Sequence, residues 1–571
     1  MPRASSADDE GRDRGRHARL PQLSAATPAT LIGACEDLVA PLASLANTTI
    51  TASTTVAAGA LAIAGKPVPE HCRITGRMHE RVSLVDGKTY AIGFEMRLPV
   101  AWNGRFWHQG NGGIDGSVVA ATGNSGGGGP LTSALLQGFA VLSSDAGHTN
   151  AQGGPAFGLD PQARLDYGYQ AVGKLTPMAK QLIGVAYGKG PDRSYFGGCS
   201  NGGRHTLVTA ARYAEDYDGY MAGAPGFNLP LAALASIFGA QRYATVATAD
   251  PNTPPGLETA YTGAERTTVA NAVLARCDRL DGAVGGLIQD TRSCQRRFDL
   301  MRDVPTCGGA RDGTCLSLAQ KLAIAPIFSG ATKSNGEPFY ASFPYDSGLK
   351  SGGIPFWEFT APLVLDSGAV GVIFKVPPAL DALSNGPNFA LTSNVDTLLA
   401  QLFATDATYA ESAISFMTPP NASDMSAVRR RGAKIIVYHG VSDPIFSIDD
   451  TKRWFHELGH QSGGHAADFA RLYPIPGMAH CSGGPSADQA DFITPLVAWV
   501  EGGKAPGSIV AAARGPGNAG GVNAEVPADW AADRTRPLCP YPSVARYERH
   551  GDLEVASSFV CVARGKGHGR H

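Results

Sequence analysis

The pentapeptide Gly198-Cys199-Ser200-Asn201-Gly202 fits the pattern G-x-S-x-G. A run of β-formers, Ser194-Tyr-Phe-Gly197, precedes it, and a helix-compatible segment follows. That is the context of a nucleophile elbow, where small neighbours let a serine hydroxyl stand clear of a sharp strand-to-helix turn. An ordinary strand–helix turn would carry the same letters, so partners must decide. A serine nucleophile needs a histidine base, and the base needs a carboxylate to hold its tautomer. His439-Gly-Val-Ser-Asp443-Pro444 follows the strand-like run Lys434-Ile-Ile-Val-Tyr438, which puts Asp443 at a strand's C-terminal end. Pro476-Gly-Met-Ala-His480-Cys481 then places His480 in a glycine-rich loop, completing the order serine, acid, histidine. Among 14 histidines, the neighbour singles this one out. Cys199 precedes the candidate serine and Cys481 follows the candidate histidine, so a bond between them would tie nucleophile to base. The residue after the nucleophile, Asn201, is the expected first N–H donor of an oxyanion hole.

A second pattern competes. His456-Glu457-Leu-Gly-His460 fits HExxH, with His465 as a third candidate ligand for zinc. Trp454, Phe455 and Leu458 already form an apolar helical stripe there, and the following glycines end the helix near His460. The motif is read as a polar helix face, and a zinc peptidase as the weaker rival. A non-catalytic binding protein on the same scaffold is a further rival, disfavoured because no triad member is missing.

The elements that must position these residues alternate in type. Strand-like runs occur at Arg105–Gln109, Phe139–Ser143, 194–197 and 434–438, and helical periodicity at Leu165–Tyr187, Ala210–Tyr213 and Phe492–Val500. That alternation predicts a mainly parallel sheet with helices on both faces. Residues 226–428 are read as a loop-richer insertion, a lid, within a catalytic domain formed by 29–225 and 429–571. Residues 1–28 read as a disordered arm or leader remnant, and Gly126–Gly129 as a mobile loop.

Composition narrows the class. Lys+Arg at 48 against Asp+Glu at 50 leaves a formal charge of −2, which does not suit a nucleic-acid partner. Hydrophobic residues at 43% allow a sizeable core, and no apolar run approaches the ~18 residues of a membrane span. The ten cysteines include no CxxC pair, so a zinc ribbon or thioredoxin-like site is disfavoured. Their local grouping (35/72, 277/294, 307/315, 539/561) favours disulfides and an oxidising compartment. The charged stretch Met1–Arg19 has no apolar segment of the signal-peptide kind. The cysteines are given the greater weight, and a secreted or periplasmic location is expected. Oligomeric state has no signature here.

The motifs Gly198-Cys-Ser-Asn-Gly-Gly203, His439-Gly-x-Ser-Asp443 and His480-Cys-Ser-Gly-Gly-Pro485 resemble the tannase and feruloyl esterase family, with further likeness at Phe157–Asp166, Thr494–Val500 and Thr535–Tyr541. The resemblance runs from about Cys35 to Cys561 and thins between roughly 330 and 420. It implies an α/β-hydrolase core with an inserted lid and a serine esterase acting on small esters of aromatic acids, feruloyl or galloyl. Hydrolysis of terephthalate monoesters, as some members perform, is the alternative. No organic cofactor is implied. Five disulfides are: Cys35–Cys72, Cys199–Cys481, Cys277–Cys294, Cys307–Cys315 and Cys539–Cys561. Gly113, in Gly110-Asn-Gly-Gly113, is implied as the second oxyanion donor. A structural calcium loop is implied at Asp278, Asp281 and the carbonyls of Ala283 and Leu287, weakened because Gly285 stands where a third aspartate is usual. In the lid, Phe374 is implied as an aromatic wall for the acyl ring. Val370 stands where monoester hydrolases carry an arginine for the substrate carboxylate, with Lys375 the nearest cation.

Overall fold

In a computed structural model, residues 20–124 and 129–563 are described. The central sheet comprises β1 (Thr48–Val56), β2 (His71–Val82), β3 (Thr89–Pro99), β4 (Arg105–Gly110), β5 (Ala140–Ser144), β6 (Arg193–Cys199), β7 (Gly219–Gly223), β8 (Lys434–Gly440) and β9 (Ala470–Ile475). Their order across the sheet is β9-β8-β7-β6-β4-β5-β3-β2-β1. Strands β4 to β9 run parallel. The β1–β3 meander joins them antiparallel through the β3–β5 pairing. This is the α/β-hydrolase arrangement.

Side-chain alternation along each strand divides the sheet between two cores. Phe106, Phe196, Tyr220, Ile435 and Val437 pack with Leu175 of α1 (Ala171–Tyr187), Leu207 of α2 (Asn201–Arg212) and Trp454 on a later helix. Their chain neighbours Trp107, Tyr195, Met221, Ile436 and Tyr438 point the other way, onto Leu496 and Trp499. Such two-sided burial explains why the strands read as continuous apolar runs.

Between β7 and β8 the chain makes a long excursion with a core of its own. It includes α3 (Leu229–Ala244), α4 (Gly263–Cys277) and α5 (Leu318–Ser329), with Leu234, Ile237, Val269, Val273 and Ile324 buried in one cluster. Phe157 and Tyr167, from the sheet side, belong to the same cluster. Buried Arg164 adds hydrogen bonds to the Gly158 and Val372 carbonyls, at 2.5 and 2.6 Å. The excursion is therefore helical and fused to the sheet domain, where sequence had suggested a loop-richer segment. Three wide π turns, Phe356–Thr360, Pro362–Asp366 and Ala369–Phe374, follow one another within it. Beyond β8 come α6 (Ile448–Gln461), which carries Trp454, and α7 (Ile493–Gly502), which carries Leu496 and Trp499.

Residues 1–19 and the Gly126–Gly128 part of the glycine loop lie outside the described residues. Residues 20–28 are not a free arm. Gln22 donates to the Val500 carbonyl at 2.9 Å, the Ala26 N–H to Glu501 at 2.9 Å, and the Thr27 N–H to Asp192 at 2.7 Å.

Candidate active site

Ser200 sits between β6 and α2 at φ 66°, ψ −127°, a conformation that L-residues hold only under constraint. The flanking glycines are steric requirements. A Cβ at Gly198 or Gly202 would come within 2.2 or 2.3 Å of the Gly110 carbonyl oxygen, and one at Gly203 within 2.3 Å of the Gly223 oxygen. Only bare backbone lets β4, β7 and the elbow approach this closely.

The elbow brings three distant residues into one chain of hydrogen bonds. Ser200 Oγ lies 2.8 Å from His480 Nε2, and His480 Nδ1 lies 2.7 Å from Asp443 Oδ2. Asp443, on the loop after β8, also accepts the N–H groups of Ile445 and Phe446, both at 3.0 Å. Burial alone would raise its carboxyl, but the charge of and hydrogen bonds with His480 and His439 hold it well below the usual carboxylate range. It therefore stays ionised and keeps a proton on His480 Nδ1, leaving Nε2 free to accept from Ser200. His439, whose role the sequence did not reveal, lies 3.4 Å from Asp443 and is itself held by Thr451 Oγ1 at 3.0 Å and the Phe446 carbonyl at 2.8 Å.

All ten cysteines are paired, in the five pairs implied. The Cys199–Cys481 bridge joins the residue before Ser200 to the residue after His480.

Asn201 opens α2, where the first N–H groups have no intrahelical partner. Gly113, at φ 64°, lines the same cleft as Ser200 and Asn201. The two loops are cross-tied underneath. The Asn201 side chain donates to Asp115 and accepts from Arg204 Nε at 2.6 Å. Arg204 continues to the Tyr167 and Gly168 carbonyls at 2.9 and 2.8 Å, and the Tyr167 hydroxyl donates to the Gly113 carbonyl at 3.3 Å. His205 stands 3.5 Å from Asp115. Burial pushes the Asp115 carboxyl up to about 7, against the pull of His148, Arg204 and Asn201.

A narrow cleft opens over Ser200. The excursion supplies one wall, through Leu229, Ala233, Trp357, Leu365, Asp366 and Ala369. The Trp357 and Phe446 rings meet His480 edge-on, with centroids 4.8 and 5.3 Å away. No Lys or Arg is among the described residues lining it.

Phe374 is a correction to the sequence reading. It is fully buried in the excursion's own core with Val370 and does not line the cleft, and Lys375 turns its Nζ to the Pro377 carbonyl at 2.6 Å. Each π turn places an extra residue in the helix, so the face turned to the cleft slips from the spacing that a simple alignment assumes. Trp357, Leu365 and Asp366 occupy it instead.

The other metal candidates separate. His456 and His460 are exposed on α6, with ring centroids 4.5 Å apart, while Trp454 and Leu458 bury the opposite side. Among the described residues, no three of His, Cys, Asp and Glu group as a metal site. In the 278–287 loop, Asp278 accepts the N–H groups of Gly285 and Gly286 at 3.2 and 3.0 Å, and Asp281 that of Ala283 at 2.9 Å. Arg534 donates to the Gly285 carbonyl at 2.6 Å, and Arg536 Nη2 would lie 3.2 Å from a Cβ at position 285. Burial, then the neighbouring Asp278, pushes Asp281 up to about 7. Two carboxylates and the carbonyls of Ala283 and Leu287 fall short of the roughly six to eight oxygens that calcium takes. The residues fit a calcium ion only incompletely, with a guanidinium where the third aspartate would reach.

The family described as tannase and feruloyl esterase matches residues 72–562. Mono(2-hydroxyethyl) terephthalate hydrolase of Piscinibacter sakaiensis is 37% identical over 528 residues, covering 87% of this chain and 85% of that protein. A probable feruloyl esterase B-1 of Aspergillus fumigatus is 29% identical over 487 residues, covering 82% of each chain. Among solved structures, feruloyl esterase B from Aspergillus oryzae superposes with a TM-score of 0.72 at 25% identity, covering 92% of this chain and 99% of that one.

Proposed function

Because the chain belongs to the tannase and feruloyl esterase family, we propose that Ser200, His480 and Asp443 are the catalytic triad through which it hydrolyses esters by way of an acyl-enzyme. It is a carboxylic ester hydrolase acting on esters of aromatic acids. Ser200 Oγ attacks the carbonyl carbon as His480 Nε2 takes its proton. The N–H groups of Asn201 and Gly113 meet the negative charge gathering on the carbonyl oxygen. Collapse expels the alcohol, which leaves with the proton from His480. A water then repeats the attack, giving the free acid and returning the proton to Ser200. Asp443 remains ionised throughout and fixes the imidazole. The unbroken hydrogen-bonded chain from Ser200 Oγ to Asp443 at the mouth of a cleft carries this reading. It is also what disfavours a non-catalytic binder.

The cleft favours neutral feruloyl- or galloyl-type esters over terephthalate monoesters. The likeness to the Piscinibacter enzyme supports the monoester reading, but among the described residues no cation lines the wall where a substrate carboxylate would need one. Such a charge-assisted contact is worth roughly 1.5–3 kcal/mol, or about 10- to 150-fold in preference. The excursion over residues 226–428 acts as the lid that supplies this wall. Five disulfides support an oxidising, secreted or periplasmic setting, and the 278–287 loop takes calcium weakly.

The test is turnover of feruloyl, galloyl and terephthaloyl esters, with and without a serine-directed phosphonate or a zinc chelator. Blockage by the phosphonate alone is expected. Inhibition by the chelator alone would return the assignment to His456 and His460, and a better kcat/KM for the charged monoester would reverse the substrate preference.

A further inference from the structure

Among the described residues, Asp366 is the one carboxyl group lining the cleft above Ser200. It ends the second π turn, and the residue is 5% exposed. Ser236 on α3 lies beside the carboxyl, yet Oδ2 of Asp366 is buried without a hydrogen-bond partner. A buried acceptor left unpaired is costly, and such groups call for a specific explanation. Of the excursion's other residues in that wall, Leu229, Ala233, Leu365 and Ala369 are apolar, and Trp357 makes no hydrogen bond to it. The substrate is the partner that the cleft admits.

We propose that Asp366 determines substrate specificity, its free Oδ2 accepting a hydrogen bond from a hydroxyl group of the ester while its carboxylate excludes substrates that carry a second carboxylate. This rests on the ester-hydrolase reading above and names the chemistry the cleft selects, a neutral ester bearing a hydroxyl donor. That hydroxyl has two sources. It is a phenol on the acyl ring, as in a gallate, or an alcohol on the leaving group, as in a 2-hydroxyethyl ester. Burial pushes Asp366 up to about 7, so comparisons belong at about pH 8.5, where the acceptor is ionised.

The experiment measures kcat/KM for the full chain on paired esters. Methyl gallate against methyl 3,4,5-trimethoxybenzoate reads the acyl ring, and 2-hydroxyethyl benzoate against propyl benzoate reads the alcohol. Mono(2-hydroxyethyl) terephthalate against 2-hydroxyethyl benzoate reads exclusion of charge. In one of the first two pairs, the wild type is expected to favour the hydroxylated ester by about 10-fold or more, a margin that Asp366→Leu abolishes. Asp366→Asn retains an acceptor without the charge. It should keep most of that preference and improve the charged monoester about 10-fold relative to the benzoate. Hydroxyl preferences that are the same in wild type and Asp366→Leu would overturn the proposal. Should the leucine variant not fold, an unchanged charged-to-neutral ratio in Asp366→Asn would overturn it equally. Failure of the wild type to hydrolyse any benzoate ester would instead sink the hydrolase reading on which the proposal stands.

Discussion

Removing the Cys199–Cys481 bridge should damage geometry as well as stability. The bond closes a loop of 282 residues. In the chain-entropy picture, a loop of that length withholds about 19 cal/mol/K from the unfolded chain, or about 5.6 kcal/mol at 25 °C. For a chain of 571 residues, unfolding entropy near 2.1 cal/mol/K per residue makes this a fall in Tm of about 5 °C. The bridge also joins two strained segments, since Ser200 and Cys481 both hold left-handed φ, at 66° and 62°. It lies one residue from each partner of the 2.8 Å Ser200–His480 contact. A displacement of about 1 Å there can cost on the order of 100-fold in rate. The double variant Cys199→Ser/Cys481→Ser, assayed at least 20 °C below its own Tm, is therefore expected to lose roughly 10- to 100-fold in kcat. Calorimetry and single-turnover acylation would measure the two effects separately. Wild-type kcat in folded protein would refute the geometric argument, and an unchanged Tm would refute the entropic one.

Ser200→Ala should lose at least about 1000-fold in kcat while keeping its fold, because a triad acts as a unit; circular dichroism and ester turnover check both halves. Asp115→Asn should flatten the pH dependence of stability. Burial holds this carboxyl at about 7 in the folded protein against about 3.9 when unfolded. The folded state therefore keeps a proton that the unfolded state has lost, and stability falls as pH rises from about 4 to 7, by up to about 4 kcal/mol. A denaturation series over that range with the same slope in both proteins would contradict it. Gly285→Asp should strengthen calcium binding. The position has ordinary backbone geometry, and the added Cβ meets only the flexible end of Arg536 at 3.2 Å. Thermal shift with added calcium should be larger in the variant. An equal or absent response in both would mean that the new carboxylate pairs with Arg536 instead.

The sequence was informative where chemistry is bound to local spacing. The elbow glycines were legible because Gly198, Gly202 and Gly203 each face a backbone carbonyl that tolerates no side chain. Strands β6 and β8 stood out because burial on both faces makes them continuously apolar, and Asp443 and His480 follow strands at loop positions. The cleft wall was not legible. Its residues lie on consecutive π turns, where the helical period on which sequence reading depends no longer holds. That is why Phe374, at a plausible spacing, proved to be core while Asp366 faces the site. Likewise, nothing local marks His439 as a partner of Asp443, or Asp115 as a partner of Asn201.

By itself, then, the sequence marked the residues proposed as nucleophile, base and acid and the alternation that builds a parallel sheet, because steric and periodic constraints act on neighbours along the chain. Only the tertiary structure decided which side of the excursion faces Ser200, which carboxyl remains unpaired in the cleft, and that Arg536 crowds the 278–287 loop. Those outcomes are set by burial and by pairing between groups far apart in the chain.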